Sequence, residues 1–487
     1  MPLRICFIAS EVAPLAKTGG LADVAGAMTK YLHNAGHDVR TFMPLYRQVD
    51  RTLPVLPVEF LRNITLQLGT HVLRYDVHTA QLPGSGAMLY LIDSPALFDR
   101  DSIYGNAADE HLRFLLLTHA ALQCCQRMSF APQILHCNDW HTGLGPLLLR
   151  TVYAWDQLFH DTRSLMTIHN IAYQGAFDAK LVADTGLGDA ATLLDAGELA
   201  AGFINPLREG VTHADHVNTV SPTYAQEIQT PAYGYGLEGL LQKRGDSLTG
   251  ILNGVDYEEW NPETDRFLPQ HFNARALATK QELKQEFLQR NGLATRTRSR
   301  APLVGMVSRL AAQKGFDLLM TALPELLAQH EFFLAVLGSG DALYEKFFRE
   351  LAHAHPTRVT FHGGYSEETA HWIEAASDMF LMPSQYEPCG LNQMYSLRYG
   401  TIPIVRRTGG LADSVQHFDP ATRAGTGIVF NDYDVGAVRW AVETAFGLYA
   451  DKPGWKQLVQ NAMAQDFSWQ RRVDDYVKLY ERLISAG

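Results

Sequence analysis

The stretch LRICFIASEVAPLAKTGGLADVAGAMTKYLHNAGHDVRTFM, residues 3–43, decides the fold. Leu3 to Ala9 reads as a buried strand, and a loop containing Pro14, Gly19 and Gly20 follows it. Leu21, Val24, Ala25, Met28 and Leu32 then recur at helical spacing, Asn34 to Gly36 stops the helix, and Val39 to Met43 starts a second strand. A strand, a helix and a strand at this spacing form the β-α-β unit from which parallel sheets are built.

Working outward, the same alternation runs almost from end to end. Further strands are predicted at Ile134 to Cys137, Leu165 to Ile168 and Val217 to Val220, the last followed by Ser221 and Pro222 at N-cap and first helical positions. A second series begins at Leu303 to Val307 and continues through Phe332 to Leu337, Val359 to Phe361, Met379 to Met382 and Ile402 to Val405. Between the series, Gly250 to Arg300 holds the turn signals Asn253-Gly254 and Asn261-Pro262 and then a charged helical piece. The 487 residues exceed what one core usually organises. The expectation is an α/β protein of two Rossmann-like domains facing a deep cleft, residues 1–247 and 248–467, with the hinge near residue 248.

Bulk chemistry narrows the function classes. A net charge of −11 excludes a surface that draws nucleic acid or an anionic membrane, so a phosphate-bearing ligand needs local cations. Five cysteines without a C-x-x-C pair fit reduced thiols in a cytoplasmic protein. The first residues lack the apolar length of a signal peptide, and the most apolar stretch, Phe114 to Cys125, is interrupted by Thr118, His119 and Gln123, so no membrane span is predicted.

The hexapeptide TGGLAD occurs at Thr18 to Asp23 and again at Thr408 to Asp413, preceded by Lys17 and by Arg407. Glycines let backbone N–H groups approach a ligand, and the following helix offers its positive end, so Gly19, Gly20, Thr408 and Gly409 are candidates for an anion or sugar cradle. A tight turn is the alternative, and repetition with a base attached favours the cradle. In open parallel sheets ligands bind beyond the carboxyl ends of strands. There SRLAAQKG places Arg309 and Lys314, two cations suited to the charge that develops on a nucleoside diphosphate leaving group, or else a solvated surface pair. PSQYEPCGLNQ places Glu387 beside a helix start: either a dipole partner or a carboxylate facing a sugar, with the amides of Leu391, Asn392 and Gln393 meeting phosphate.

In the first domain, HCNDWH (His136 to His141) and His169-Asn170 also follow predicted strands. The spacing of His136 and His141 matches no common zinc pattern, so no metal is expected. Two D-x-D triplets, Asp99 to Asp101 and Asp432 to Asp434, read as loop coincidences. Gly338-Ser339-Gly340-Asp341 begins like a dinucleotide fingerprint but has Leu343 at the third glycine position, and a P-loop motif is absent.

Taken together, KTGGLADV (17–24), NDWH (138–141), HNIAYQG (169–175), VSPTYAQEI (220–228), YGLEGLL (235–241), ILNGVD (251–256), SRLAAQKG (308–315), PSQYEPCGLNQ (383–393), RRTGGLAD (406–413) and DFSW (466–469) resemble bacterial glycogen synthases and plant starch synthases. The resemblance implies a two-domain GT-B fold, with a C-terminal helix, residues 468–487, returning to the first domain. It also implies a retaining, metal-independent and cofactor-free transfer of glucose from ADP-glucose to an α-1,4-glucan. By motif, Arg309 and Lys314 would neutralise the ADP phosphates and Glu387 would contact the donor glucose. Lys17 would close over the donor, and His169 and Asp139 would line the glucose site. Tyr365 would stack on adenine, while Tyr104, Asn170, Gly338, Cys389 and Gly390 complete the expected set, Cys389 by packing and not as a nucleophile. Many related retaining enzymes carry a second Glu eight residues after the first; here that position is Tyr395. A UDP-glucose enzyme with the same fold and a catalytically silent glucan-binding protein are the alternatives; a dehydrogenase would need the full glycine fingerprint and a ribose-binding acid.

Overall fold

The computed structural model describes residues 2–49, 53–293 and 300–486. Residues 1–251 with 469–487 form one unit, and residues 252–468 form a second.

In the first unit the strands Arg4–Ile8, Asp38–Pro44 and Met88–Asp93 run parallel to one side of the centre. Ile134–Asn138, Arg163–Ile168, His216–Thr219 and Leu248–Gly250 run parallel to the other. The chain therefore switches direction between Arg4–Ile8 and Ile134–Asn138, which places the topological switch point at their carboxyl ends. Leu248–Gly250 adds an edge strand beside His216–Thr219, which carries the unit to Ile251 and moves the boundary four residues beyond the expected 247. Beyond Met88–Asp93 the sheet turns antiparallel through His71–Gln81 and Leu56–Pro57.

The helix Trp469–Ser485 belongs to this unit. Its buried stripe includes Val473, Tyr476, Leu479, Tyr480 and Leu483, a helical period, and Tyr480 and Tyr476 reach the hydroxyl partners His136 Nδ1 (2.7 Å) and Asn218 Nδ2 (3.5 Å). His136 thus spends its second nitrogen on the core; the first meets Thr167 Oγ1 at 2.6 Å.

The second unit holds six parallel strands in the order Val359–Gly363, Phe333–Gly338, Leu303–Val307, Met379–Met382, Ile402–Arg406 and Ile428–Phe430. This is the doubly wound order, with its switch between Leu303–Val307 and Met379–Met382. Every strand of the second series predicted from sequence is present, and Ile428–Phe430 is added at the edge. The charged piece before residue 300 forms the helix Leu277–Arg290, fixed by Lys284 Nζ on Asp378 Oδ2 at 2.6 Å and by Lys280 Nζ on Thr401 Oγ1 at 2.8 Å.

Candidate functional site

Both copies of TGGLAD open a helix after a strand, Gly20–Asn34 and Gly409–Ser414, yet their glycines are needed for different reasons. In the second copy, Gly409 has φ +42° and a Cβ there would lie 1.9 Å from Glu387 O; on Gly410 it would lie 2.1 Å from Cys389 O. These residues are glycine because the Glu387–Cys389 backbone packs against them, and Gly410 N donates to Glu387 O at 3.1 Å. In the first copy, a Cβ on Gly19 or Gly20 would meet no atom within 4 Å, and neither residue has a positive φ. Packing does not demand glycine there, and the backbone at both positions borders open space.

The loop before Gly19 is held by Glu11, a residue that sequence reading missed. Its carboxylate accepts from Thr18 N (2.5 Å), Thr18 Oγ1 (3.0 Å) and Tyr104 OH (2.9 Å), and burial raises its pKa. Tyr104 OH lies 2.8 Å from Ser10 Oγ, and its ring stacks on His141, which stacks on Trp140. Lys17 Nζ meets Asp23 Oδ1 at 2.6 Å.

The neighbouring strand ends carry Asp139, His169 and Asn170. Asp139 sits at φ +53°, ψ −176°, a conformation that costs a non-glycine residue roughly 1–3 kcal/mol. Its Oδ1 accepts from His169 N (2.7 Å) and Asn170 N (3.4 Å), and burial pushes its pKa up to about 7. Asn138 Nδ2 donates to Ile8 O at 3.0 Å, which turns Asn138 Oδ1 toward His169 Nε2 at 2.9 Å. His169 therefore carries its proton on Nε2 and presents Nδ1 as an acceptor, and burial lowers its pKa to about 3, so the ring is neutral. Neutral imidazole and a titratable carboxyl at the ends of two adjacent strands, with the Tyr104 phenol held to Ser10 and Glu11 from the loop after Pro95–Phe98, suit hydroxyl recognition.

In the second unit, the turn Ala312–Lys314 is stitched to the loop after Met379–Met382. Gln385 N donates to Gln313 O at 2.8 Å, and Gly315, at φ +77°, leaves no room for a Cβ beside Pro383 O. This docking puts Lys314 Nζ 2.6 Å from Glu387 Oε2, with Ser384 Oγ at 3.1 Å from the same oxygen. Glu387 is 5% exposed, while Arg309 stands exposed at the end of Leu303–Val307. Gly338 packs its backbone against Ser308 O, where a Cβ would lie at 2.1 Å, so it joins the Arg309 loop to the adjacent strand end.

The helix Asn392–Tyr399 begins after Leu391, and its first backbone bonds run from Met394 N and Tyr395 N to Leu391 O. The amides of Leu391, Asn392 and Gln393 precede those bonds, at the positive end of the helix. The side chains do other work: Asn392 Nδ2 donates to Val307 O at 2.6 Å, and Gln393 Nε2 to Cys389 O at 3.0 Å. Cys389 is buried and Gly390 has φ +71°, so both shape the approach to the helix. Tyr365 is 66% exposed just before the N-cap Ser366, and Thr408 is buried. Arg407 reaches Asn431 Oδ1 at 2.9 Å, while Arg406 Nη1 donates to Gln385 O, bracing the Glu387 loop.

Three of the four D-x-D aspartates have structural tasks. Asp99 and Asp101 bind Arg47, and Asp434 caps Val435–Ala450 by accepting from Ala437 N. No described helix is long and apolar enough to cross a membrane.

Residues 4–243 match the model of the starch synthase catalytic domain, and residues 294–458 match that of the group 1 glycosyl transferases. A glycogen synthase of Koribacter versatilis is 44% identical over 99% of this chain and 98% of its own, and one of Thermotoga maritima is 40% identical over 99% of each. The catalytic domain of starch synthase IV from Arabidopsis thaliana, solved with ADP and acarbose, superposes with a TM-score of 0.92 at 34% identity, covering both chains fully.

Proposed function

The chain belongs to the glycogen synthase and starch synthase family of glycosyltransferases, with its two-domain GT-B fold, and from that premise we propose that it transfers glucose from ADP-glucose to the non-reducing end of an α-1,4-glucan, retaining configuration at the sugar carbon and using no metal. The observation that carries the reading is the Lys314–Glu387 pair, 2.6 Å apart at the switch point of the second unit. An ammonium has three donors, so Lys314 can hold Glu387 and still meet the departing phosphate. Glu387 then faces the donor glucose, Arg309 takes a second phosphate oxygen, and the amides of Leu391, Asn392 and Gln393 complete the anion site.

Tyr365 offers an exposed ring to adenine, and Thr408 and Gly409 back the Glu387 loop. On the sugar side, His169 Nδ1 accepts from a glucose hydroxyl, Asp139 and Asn170 position the ring, and Lys17, Gly19 and Gly20 approach the donor through a loop that Glu11 and Tyr104 hold. With ADP leaving, the glucan 4-hydroxyl attacks from the same face and passes its proton to the leaving phosphate. The ADP and acarbose bound by the Arabidopsis enzyme support this choice of donor and acceptor. A location in the cytoplasm accords with the five unpaired thiols.

The test supplies labelled ADP-glucose or UDP-glucose separately with glycogen and EDTA. Transfer from ADP-glucose at least tenfold faster than from UDP-glucose supports the reading; transfer from UDP-glucose alone, or loss of activity in EDTA, overturns it.

A further inference from the structure

Away from the residues assigned above, the second unit contains the donor set of a metal site. His371, on the helix Glu367–Ala376, is fully buried, and Trp260 stacks on its ring at 3.8 Å with 12° between planes. Its Nδ1 lies 2.8 Å from Asp265 Oδ2, which also accepts from Tyr399 OH at 2.6 Å. A carboxylate only accepts, so Nδ1 carries a proton, and the neutral ring has its lone pair on Nε2. Nε2 is buried and has no hydrogen-bond partner. Glu259, in the loop before Trp260, and Glu367, at the start of the helix, each bring a carboxylate oxygen, and one ligating atom from each of the three residues lies within 4.8 Å of the others.

We propose that Glu259, Glu367 and His371 Nε2 bind one divalent transition-metal ion of the Zn2+ class, with Asp265 as the positioning residue that fixes the imidazole tautomer. An imidazole whose other nitrogen is held by a carboxylate is the usual arrangement behind a metal-bound histidine. Two carboxylates and one imidazole suit Zn2+ and its neighbours, water filling the remaining positions. Glu259 is exposed and Glu367 half-buried, so rotamer changes bring both oxygens to bonding distance while the buried His371 stays fixed. Arg266 Nη2 lies 3.8 Å from Glu367 Oε1, but its side chain is 75% exposed and yields at little cost.

The ion would clamp the loop carrying Glu259, Trp260 and Asp265 to the helix Glu367–Ala376. Trp260 also stacks on Tyr395 at 4.0 Å, within the helix whose first amides form the anion site. The role is structural: none of the three ligands belongs to the proposed transfer machinery, so the inference stands apart from the reaction and from its insensitivity to EDTA.

The full chain, stripped with chelator and dialysed, is titrated with ZnCl2 by calorimetry, and with CoCl2 while visible absorption is followed. One equivalent of Zn2+ binds, Co2+ develops ligand-field bands, and the double variant Glu259→Gln, Glu367→Gln, which removes two of the three protein ligands, weakens binding by more than about a hundredfold. The variant keeps its wild-type transfer rate in EDTA, which separates loss of the site from loss of the fold. Absence of saturable Zn2+ binding, or equal affinity and stoichiometry in the double variant, overturns the proposal.

Discussion

Replacing Lys314 by alanine separates a role in folding from a role in the reaction. The ammonium lies 2.6 Å from Glu387 Oε2, and its loss leaves a carboxylate that is 5% exposed with Ser384 Oγ at 3.1 Å as its remaining side-chain donor. Breaking a fully buried pair costs about 3–5 kcal/mol. Lys314 is 21% exposed, so water reaches the gap and the expected loss of stability falls to about 1–2 kcal/mol. For a unit of this size that is a Tm decrease of about 2–8 °C.

The effect on the reaction is larger. A lost partner for charge that develops only in the transition state lowers kcat by about two to three orders of magnitude, or about 2.7–4 kcal/mol. The assay is steady-state transfer from ADP-glucose to glycogen, with Tm measured in parallel. Lys314→Ala should lose kcat at that scale with little change in KM for glycogen, and Lys314→Arg should retain more activity than Lys314→Ala because it keeps the charge. A kcat within about threefold of wild type in the alanine variant would refute the leaving-group role.

Other consequences can be checked together. Glu11→Gln removes the carboxylate that holds Thr18, so transfer should fall by about tenfold or more while Tm changes little; unchanged activity would count against a functional Lys17–Gly20 loop. Gly20→Ala meets no protein atom and should preserve or slightly raise Tm while lowering kcat/KM, whereas Gly409→Ala collides with Glu387 O and should lower both; equal behaviour of the two would show that the TGGLAD copies serve one purpose. Acid should loosen the first unit. His136 and His169 are held near pKa 3, His119 near 4, and His141 well below its ordinary value, all by burial. Their unfolded forms bind protons near pH 6.5, so this stability is complete above that pH and is lost as pH falls. By pH 5, His136, His169 and His119 each cost about 2 kcal/mol, against about 2.5 kcal/mol returned by Asp139, whose folded pKa is raised to about 7. Hydrogen exchange in peptides from residues 134–170, corrected for intrinsic rates, should rise between pH 7.5 and 5; unchanged protection would contradict the buried neutral assignment.

The parallel architecture was legible because each buried strand is followed by a polar loop and a helical period, as in residues 3–43. The antiparallel hairpin of Ile64–Leu68 and His71–Gln81 escaped, since it turns at Gly69-Thr70 from strand to strand without that punctuation. The short edges Leu248–Gly250 and Ile428–Phe430 escaped because three residues carry too little periodicity. Of the candidate site residues, those inside repeated or Gly-flanked motifs are the ones the sequence points to. Glu11 is not among them: a single Glu inside an apolar loop has no periodic neighbour, and its importance lies in three hydrogen bonds that only folding creates. Asp139 was selected by its place after a strand, but its strained backbone is visible only in three dimensions. The stacking and hydrogen-bond contacts of His371 with Trp260, Asp265 and Phe267, a segment about a hundred positions away, were likewise beyond any local pattern.

The most direct test of the central claim follows the product itself. Wild-type chain, Lys314→Ala and Glu387→Ala are each incubated with 13C-labelled ADP-glucose, a malto-oligosaccharide and EDTA, and the new linkage is read by NMR at the anomeric carbon. The account predicts α-1,4 signals that grow with the wild-type chain and are absent on the same timescale with either variant. A β-linked product, or wild-type growth in both variants, would contradict it.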